Sequence, residues 1–228
     1  MSTTYQKFCD RLKDERIRIK LSQLEISHFL RMNQSHYSKA ELGKRRFSYY
    51  ELQYLCETQV DVYYAFTGFR YEIKETEFLL ESTVEELKCY LEILCVLYMC
   101  MYRKNMLFLS NSMYKRIEHI RYALMQSKRG KTIFYNLRRA LNYSQNKMAE
   151  LLGVDIKKLR NLESGKILPD CEIICRFSNN FYIPYALLLQ DKKGLVCEIN
   201  YLLELVEENR RKDILESILS IQKNVLLE

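Results

Sequence analysis

Apolar side chains recur every three or four positions through most of the chain, which is the period of an amphipathic helix. Two stretches, residues 22–30 and 144–152, begin with a serine, Ser22 or Ser144, that can cap the first turn of a helix. Their predicted inward positions are Ile26, Phe29 and Leu30 in the first stretch and Met148, Leu151 and Leu152 in the second. The pattern predicts two short helices that begin and pack in the same way.

A second short helix with a polar outer face is predicted after each of these. Asn33 and Asp155 can cap it, and Gly43 and Gly165 can end it. Its predicted inward positions are Tyr37 and Ala40 in the first stretch and Leu159 and Leu162 in the second. Two short helices joined by a turn, with the second left polar on its outer side, form a helix-turn-helix.

The turn between the two helices calls for a left-handed residue, and the two stretches differ there. Gly153 occupies this position in the second stretch, whereas the first has Arg31. A residue other than glycine in the left-handed conformation costs about 1 kcal/mol. We therefore expect the first stretch to tolerate a small strain or to form a slightly different turn.

The two stretches belong to copies that lie 122 residues apart. The identical pairs at this offset are Arg16/Arg138, Ser22/Ser144, Gln23/Gln145, Leu30/Leu152, Glu41/Glu163, Gly43/Gly165, Lys44/Lys166 and Tyr63/Tyr185. These identities exceed chance only about two- to threefold, so the shared register of apolar and turn residues is the stronger argument.

One more helix is predicted before each pair and two after it, which makes five helices in roughly 60 residues. The predicted bounds are Phe8–Lys20, Ser48–Glu57 and Val62–Thr67 around the first pair, and Ile133–Leu141, Asp170–Asn179 and Pro184–Leu188 around the second.

This arrangement resembles the lambda-repressor-like, Xre-type family of DNA-binding proteins, in which a helix of the form F-x-x-x-L-K-x-x-R precedes S-Q-x-x-x-A-x-x-x-G and then E-x-G-K. The first copy carries Phe8, Leu12, Lys13, Arg16, Leu21, Ser22 and Gln23. The second carries Leu137, Arg138, Ser144, Gln145, Ala149, Gly153, Glu163, Gly165 and Lys166. The resemblance covers about 120 of the 228 residues. It implies an all-α fold with two five-helix lambda-repressor-like helix-turn-helix domains, each followed by a helical pair, and double-stranded DNA as partner.

The resemblance also implies roles for individual residues. Arg16 and Glu41, like Arg138 and Glu163, are 25 positions apart, and such a pair links the first helix to the end of the recognition helix. We interpret both pairs as structural ion pairs in preference to DNA contacts. The predicted phosphate-contacting residues are Gln23, Lys44, Arg45, Arg46, Gln145 and Lys166. For the two glutamines, bracing of the recognition helix and simple exposure are the alternatives.

The third helix of each copy would enter the major groove. The predicted base-contacting residues are Gln34, Ser35, Ser38, Lys39, Ile156, Lys157, Arg160 and Asn161. Gln34 could read adenine with two hydrogen bonds, which discriminates between bases by about 1 to 3 kcal/mol. Ile156 could contact only a thymine methyl group or a protein partner. The alternative for the whole set is a solvated helix face.

The predicted helix-turn-helix domains are residues 1–70 and 129–190, and the helical pairs are residues 71–128 and 191–228. A capping box at Ser82-Thr83-Val84-Glu85 begins the first pair. The apolar positions of the pairs are Leu87, Tyr90, Leu91, Leu94, Leu97, Met113, Ile117, Ile120 and Leu124, then Leu195, Ile199, Leu202, Leu203, Val206, Ile214, Ile218, Ile221 and Val225. Because one pair cannot cover all its apolar faces, we expect the pairs to pack on each other, on the domains or in a homodimer. A ligand pocket among Tyr90, Tyr98, Tyr102 and Phe108 is the alternative to core packing of these rings.

The net charge indicates a polyanionic partner only when it is counted separately for each segment of the chain. The net charge is +7, and Lys+Arg against Asp+Glu is 12 to 8 in residues 1–70 and 10 to 5 in residues 129–190, but 8 to 8 and 6 to 8 in the two other segments. The excess of +4 and +5 therefore falls on the two predicted DNA-binding domains. Scattered solvated lysines would give the same totals.

Other site chemistry is sparse. The eight cysteines include no Cys-x-x-Cys, so we expect reduced and mostly buried thiols without a metal or a cofactor. The most apolar run, Ile93–Tyr102, is far shorter than the roughly 20 residues of a membrane span, and we expect a cytoplasmic protein that binds no membrane.

Three classes of function remain. A sequence-specific transcriptional regulator accounts for two basic domains with polar recognition helices. A protein-interaction or antitoxin-like adaptor on a helix-turn-helix scaffold, with one or both DNA faces retired, would account for Ile156 and for the tyrosines Tyr49, Tyr50, Tyr54, Tyr63 and Tyr64. An enzyme is the least favoured, because no phosphate loop, nucleophile triad or carboxylate pair stands out.

Overall fold

The computed structural model describes residues 3–71, 73, 76–125 and 131–225, and within these ranges the chain is helical without strands. The helices are α1 (Thr3–Arg18), α2 (Gln23–Phe29), α3 (Gln34–Glu41), α4 (Tyr49–Cys56), α5 (Val62–Thr67), α6 (Val84–Arg103), α7 (Asn111–Leu124), α8 (Ile133–Ala140), α9 (Gln145–Leu152), α10 (Ile156–Glu163), α11 (Cys171–Phe181), α12 (Tyr185–Leu189), α13 (Lys192–Leu203) and α14 (Glu208–Val225). A short 3-10 helix, Glu77–Glu81, precedes α6. The predicted all-α character is therefore confirmed.

The short helices begin where polar side chains satisfy their free amide groups. Ser22 caps α2 in a capping box with Glu25, and Ser144 caps α9 by accepting from the amide of Lys147. Further side-chain caps on the recurring helices are Asn33 on α3, Ser48 on α4, Asp155 on α10 and Asp170 on α11. A cap of this kind contributes about 1 kcal/mol, so the sequence fixes where these helices begin.

Helices α1–α5, the N-terminal unit, and α8–α12, the central unit, repeat one another at the offset of 122. Helices α3 and α10 correspond residue for residue, and α2, α4, α9 and α11 begin at equivalent positions. Helix α8 ends at the equivalent of the α1 end but begins eight residues later than α1 does. The same helical framework is thus built twice from largely different residues.

Left-handed residues repeat at the same offset. The four positions with positive φ in the N-terminal unit each have a counterpart: Lys20/Asn142, Arg31/Gly153, Gly43/Gly165 and Gly68/Gln190. Arg31 takes φ 53° where Gly153 takes φ 63°, so the first turn keeps the glycine conformation and accepts the strain. The backbone path is shared even where the sequence is not.

Most predicted inward positions are buried, but Phe29 is 49% exposed and its assignment to the core was wrong. In α2 the buried positions are Ile26 and Ser27, followed by Leu30 at the cap, which places Phe29 beside the inward stripe. Ser27 corresponds to the buried Ala149 of α9. A small residue at this position lets the helix approach its neighbour, a detail that hydrophobicity alone misses.

The helices outside the two units pack around α6. The capping box of α6 is formed by Thr83 and Glu86, one residue later than predicted, because the Thr83 hydroxyl accepts from the Glu86 amide. Helix α6 packs on α7, α13 and α14, and α13 also contacts α5 and α12. The predicted pairs are thus joined to each other and to both units. The side chains of Ile221 and Val225 lie outside those that the structure describes.

The four aromatic residues of the suggested tyrosine pocket differ in exposure and in packing. Tyr90 and Tyr98 are buried, whereas Phe108 is 93% exposed. The ring of Tyr102 packs at 4.9 Å from that of Tyr114. These rings, apart from Phe108, serve as core packing.

The N-terminal and central units pack directly on each other. Helix α1 lies against α11, and the Cys171 amide donates to the carbonyl of Phe47 at 3.0 Å. The hydroxyl of Tyr49 donates to the Leu188 carbonyl, and the ring of Tyr185 stacks on Phe66 at 4.2 Å. The two units therefore hold a defined relative position.

All eight cysteines are free thiols, and five of them are buried. None of the described helices is long and apolar enough to cross a membrane.

Candidate nucleic-acid interface

A buried carboxylate, Glu41, ties the end of α3 to α1 and α2. Arg16 Nε donates to Glu41 Oε1 at 2.7 Å and its Nη2 to Oε2 at 3.2 Å. Gln23 Nε2 and the Tyr37 hydroxyl donate to the same carboxylate at 2.6 and 3.0 Å. Arg16 also holds the carbonyl of Leu21 at 2.8 Å, which fixes the turn before α2.

The central unit repeats this network at equivalent residues. Arg138 donates to both carboxylate oxygens of Glu163 and to the carbonyl of Tyr143. Gln145 Nε2 donates to Glu163 Oε2 at 3.1 Å. Leu159 stands at the position of Tyr37, so one donor of the first network has no equivalent in the second.

Both networks hold charged groups in a largely buried setting. Burial raises the pKa of Glu41, but hydrogen bonds from Arg16 and Gln23 lower it more, so the pKa lies below its ordinary value. The carboxylate therefore stays ionised at neutral pH. Because a bidentate arginine–carboxylate pair is geometrically specific, it sets the angle of α3 and α10 against the helices behind them.

The side chains of the predicted phosphate ligands Gln23 and Gln145 brace α3 and α10. Each side-chain amide donates to the buried glutamate at the end of α3 or α10. Gln145 also accepts from Arg160 Nε at 3.0 Å, so it joins the outer face of α10 to the internal network. The bracing alternative describes their side chains, and their backbone amides remain at the first turns of α2 and α9.

The outward face of α3 presents polar side chains. Gln34, Ser35 and Lys39 are exposed, and Ser38 is half-buried. The Ser35 hydroxyl donates to the capping side chain of Asn33 at 2.9 Å. Four of the predicted base-contacting residues thus lie on one short helix whose buried side is fixed.

The outward face of α10 is more basic and more strongly engaged. Lys157 and Arg160 are exposed, whereas Asn161 is half-buried. Ile156, the first residue of α10, is half-buried and packs against the hydrophobic core. Lys158 forms an ion pair with Asp170 at 3.3 Å, which ties α10 to the start of α11.

The three basic residues after α3 have different surroundings. Arg45 forms two hydrogen bonds with Glu51, at 2.6 and 3.0 Å. Arg46 reaches the central unit and pairs with Glu172 at 2.5 Å and with Asp170 at 3.8 Å. Lys44 is exposed and has no ion pair to a described residue, as is also true of Lys166 after α10. Among these basic residues, Lys44 and Lys166 are therefore the ones whose side chains are available to contact a phosphate.

Two features escaped the sequence interpretation. His36 is exposed on α3 between the predicted base-contacting residues Ser35 and Ser38, and its place in the polar stretch 33–36 was an available signal. Arg116, which is half-buried, forms an ion pair with the buried Glu198 at 2.5 Å. These two residues are 82 positions apart and lie on helices that were assigned to different segments, so no local signal joins them.

Comparison with known proteins identifies one part of the chain. Residues 133–194 match the family model of a helix-turn-helix domain, which spans α8–α12 and the first turn of α13. No curated protein and no solved structure matches the chain. The prediction of a helix-turn-helix is therefore confirmed for the central unit. The same assignment of the N-terminal unit, and the Xre type of either unit, stay predictions.

Proposed function

We propose that this protein is a sequence-specific transcriptional regulator that binds double-stranded DNA through two non-identical, Xre-type helix-turn-helix domains. Helices α3 and α10 enter the major groove, and residues such as Gln34 and Arg160 meet base edges. Lys44 and Lys166 contact the phosphate backbone.

One observation carries this proposal. Equivalent networks, Arg16–Glu41–Gln23 and Arg138–Glu163–Gln145, fix α3 and α10 from behind, while both helices keep polar residues on their outer sides. The central unit also matches a helix-turn-helix family, which supports a DNA-binding role. Rigid support behind a polar helix is what reading a groove requires, because a loosely held helix loses its base contacts.

Two different recognition helices in one chain predict an asymmetric operator. The contact between the units is itself asymmetric: α1 packs on α11, while no comparable packing joins their counterparts α8 and α4 among the described residues. Each half of the operator would therefore have its own sequence and a fixed spacing from the other. A homodimer is not needed to occupy two half-sites.

Selection of bound fragments from random duplex DNA by the full-length protein tests the proposal. We expect two unlike sequence elements at one spacing, with affinity that falls steeply with salt. Gln34→Ala should relax preference at one base pair. Lys44→Ala should weaken all sequences and reduce the salt slope by about 0.9, whereas Lys13→Ala, an exposed lysine on α1, should change neither.

An adaptor that binds a protein partner is the second candidate. It is favoured by α10, where Ile156 packs inward and Lys158 and Arg160 are engaged with Asp170 and Gln145. Absence of any complex with duplex DNA at low ionic strength would support this candidate and exclude the regulator. Selection of only one sequence element would indicate that α3 binds DNA and that α10 does not.

A further inference from the structure

A cavity of about 420 Å³ lies where the N-terminal and central units meet α7 and α13. Its walls include residues from α1, α5, α7, α11, α12 and α13, and none of them belongs to the outer faces of α3 or α10. The volume is within the range of small-molecule sites, which is about 300 to 1,000 Å³. The DNA-binding surface therefore does not account for this space.

The wall is mainly aromatic. Seven of the lining residues are aromatic: Tyr63, Phe66, Phe69, Tyr71, Tyr182, Tyr185 and Tyr201. Tyr71 makes edge contacts with Tyr63 at 5.7 Å and with Tyr201 at 6.3 Å, and these contacts hold the rings in fixed orientations. Flat, fixed ring surfaces favour a planar ligand that can stack or make edge contacts.

The polar groups of the wall add a hydrogen-bonding requirement. Arg116 Nε and Nη2 both donate to Oε1 of Glu198, at 3.0 and 2.5 Å. Glu198 is 1% exposed, and its Oε2 has no hydrogen bond to a described residue. Ser178 Oγ, also in the wall, is buried and has no hydrogen-bond partner within the described chain. Burial of the Ser178 hydroxyl without a partner is costly, and Oε2 of Glu198 is an acceptor that the described chain leaves open, so a ligand that supplies a donor is favoured.

The charges of the wall select a neutral ligand. Arg116 and Glu198 balance one another, and a charged ligand would add an uncompensated charge to a largely apolar space. Arg116 also donates to the carbonyl of Tyr182, a bulky residue with φ 56° at the end of α11. Strain of this kind often accompanies a binding site, because the fold maintains it at a cost.

We propose that this cavity binds a neutral, planar aromatic compound that carries an N–H or O–H donor, and that its occupancy alters DNA binding. The donor bonds Oε2 of Glu198, and the aromatic rings of the wall cover the faces of the ligand. Because the wall joins both units, an occupant changes the relative position of α3 and α10. The effect on DNA binding rests on the proposed function, whereas the binding of the ligand does not.

Indole and 1-methylindole are matched probes, since they share a planar shape and only indole has an N–H donor. Saturation-transfer NMR on the full-length protein without DNA should show indole binding with a Kd of roughly 0.1 to 1 mM. 1-Methylindole should bind about tenfold more weakly, because it leaves Oε2 of Glu198 unpaired. Absence of binding by both probes at about 5 mM, or equal binding of the two, would overturn the site.

Two variants test whether the probes bind in this cavity. Ser178→Leu fills the space and should abolish binding of both compounds, whereas Ser217→Leu, at an exposed position on α14, should leave it unchanged. Glu198→Gln keeps the shape but offers an amide, so it should reduce the preference for indole to less than about threefold. Thermal unfolding identifies a variant that fails to fold, in which case the other variant decides. Unchanged binding in a folded Ser178→Leu protein rejects the cavity as the site.

The regulatory step is tested separately by measuring DNA affinity with and without saturating indole. We expect at least about a threefold change in the unmodified protein and none in Ser178→Leu. Indole binding without a change in DNA affinity removes the regulatory step and leaves the ligand site. Failure to bind any DNA removes the proposed function, while the NMR result still decides the ligand site.

Discussion

The N-terminal and central units share their internal support and differ in what they present to a partner. Each holds its third helix through an arginine, a glutamine and a buried glutamate at equivalent positions. The exposed residues of α3 are mostly neutral and polar, whereas α10 exposes Lys157 and Arg160. Buried positions thus preserve the geometry of the helix, and outward positions vary without disturbing it.

This difference suggests a division of work under the proposed function. The amide and hydroxyl groups of α3 would discriminate between bases, whereas the cations of α10 would add attraction to any phosphate backbone. The N-terminal unit would then contribute more to sequence preference and the central unit more to salt-dependent affinity.

The largest expected effect comes from removing the buried carboxylate of the network. Glu41→Ala leaves the guanidinium of Arg16, which is 11% exposed, and the hydroxyl of Tyr37 without their partner. We expect a loss of about 3 to 5 kcal/mol in the free energy of unfolding. Glu163→Ala should cost about 1 kcal/mol less, because Leu159 replaces the tyrosine.

Urea unfolding followed by far-ultraviolet circular dichroism measures both changes. Glu57→Ala, at an exposed position after α4, is the control and should change stability by less than about 0.5 kcal/mol. A cost below about 1 kcal/mol for Glu41→Ala would show that the network does not support α3.

The sequence predicted much of the framework because local signals determine it. Capping residues gave the starts of α2, α3, α9 and α10, and Val62–Thr67 was predicted with its observed bounds. Helix α1 begins at Thr3, five residues before the prediction, because its first turns are polar and become ordered by packing on α11. Errors therefore concentrate where tertiary contacts extend or replace a local pattern.

Prediction of the candidate sites from the sequence meets the same limit, because contacts that depend on tertiary packing leave no local pattern. The residues that form the Arg16–Glu41 and Arg138–Glu163 pairs could be chosen from the sequence because the family pattern repeats them at one spacing. The partners of Arg46 could not, since they follow from how the two units pack. The cavity was missed entirely, because its residues come from six helices and no periodicity brings them together.

Acid should reveal a second difference between the units. Glu15, buried in α1, has Leu137 as its counterpart in α8. Burial raises its pKa, but hydrogen bonds from Arg18 and Arg70 outweigh this and bring the pKa to about 2, against 4.5 ordinarily. Since the folded pKa is depressed, the stabilisation is complete above about pH 4.5 and is lost as the pH falls toward 2.

The Glu15→Gln variant isolates this contribution. We expect it to be less stable than the unmodified protein at pH 7, and the difference to shrink steadily as the pH falls from about 4.5 to 2. Urea unfolding at a series of pH values measures the difference, and Glu57→Gln is the exposed control. A difference that is constant across this range would mean that the charge of Glu15 does not stabilise the fold.

A smaller effect is expected from the arginine that joins the two units. Arg46 is 50% exposed and pairs with Glu172, which also accepts from Arg176 at 2.8 Å. Because the pair is partly solvated and the carboxylate keeps a second partner, Arg46→Ala should cost about 1 kcal/mol. Its counterpart in the central unit, Leu168, has no such contact to lose.

DNA-binding measurements distinguish a role of Arg46 in the contact between the units from a role in contacting the phosphate backbone. If Arg46 supports the contact between the units, Arg46→Ala should change the preferred spacing between sequence elements and leave the salt slope intact. The Lys44→Ala variant is the comparison, since it should flatten the slope. A flattened slope in Arg46→Ala with unchanged stability would return Arg46 to the phosphate-contacting set.

The smallest change is expected at the turn where the two units differ in sequence but share a backbone. Arg31→Gly relieves a left-handed strain of about 1 kcal/mol. It also removes the guanidinium that lies 4.5 Å from the ring of Tyr54, an interaction worth about 0.5 to 1 kcal/mol at a partly exposed site. The two terms nearly cancel, so the free energy of unfolding should move by less than about 0.5 kcal/mol.

Gly153→Ala is the matched change in the central unit. It should cost about 1 kcal/mol or more, since the new Cβ is strained and displaces the end of Arg176. Urea unfolding of both variants measures the contrast. A loss above about 1.5 kcal/mol in Arg31→Gly would show that the arginine, rather than the backbone path, holds the N-terminal turn together.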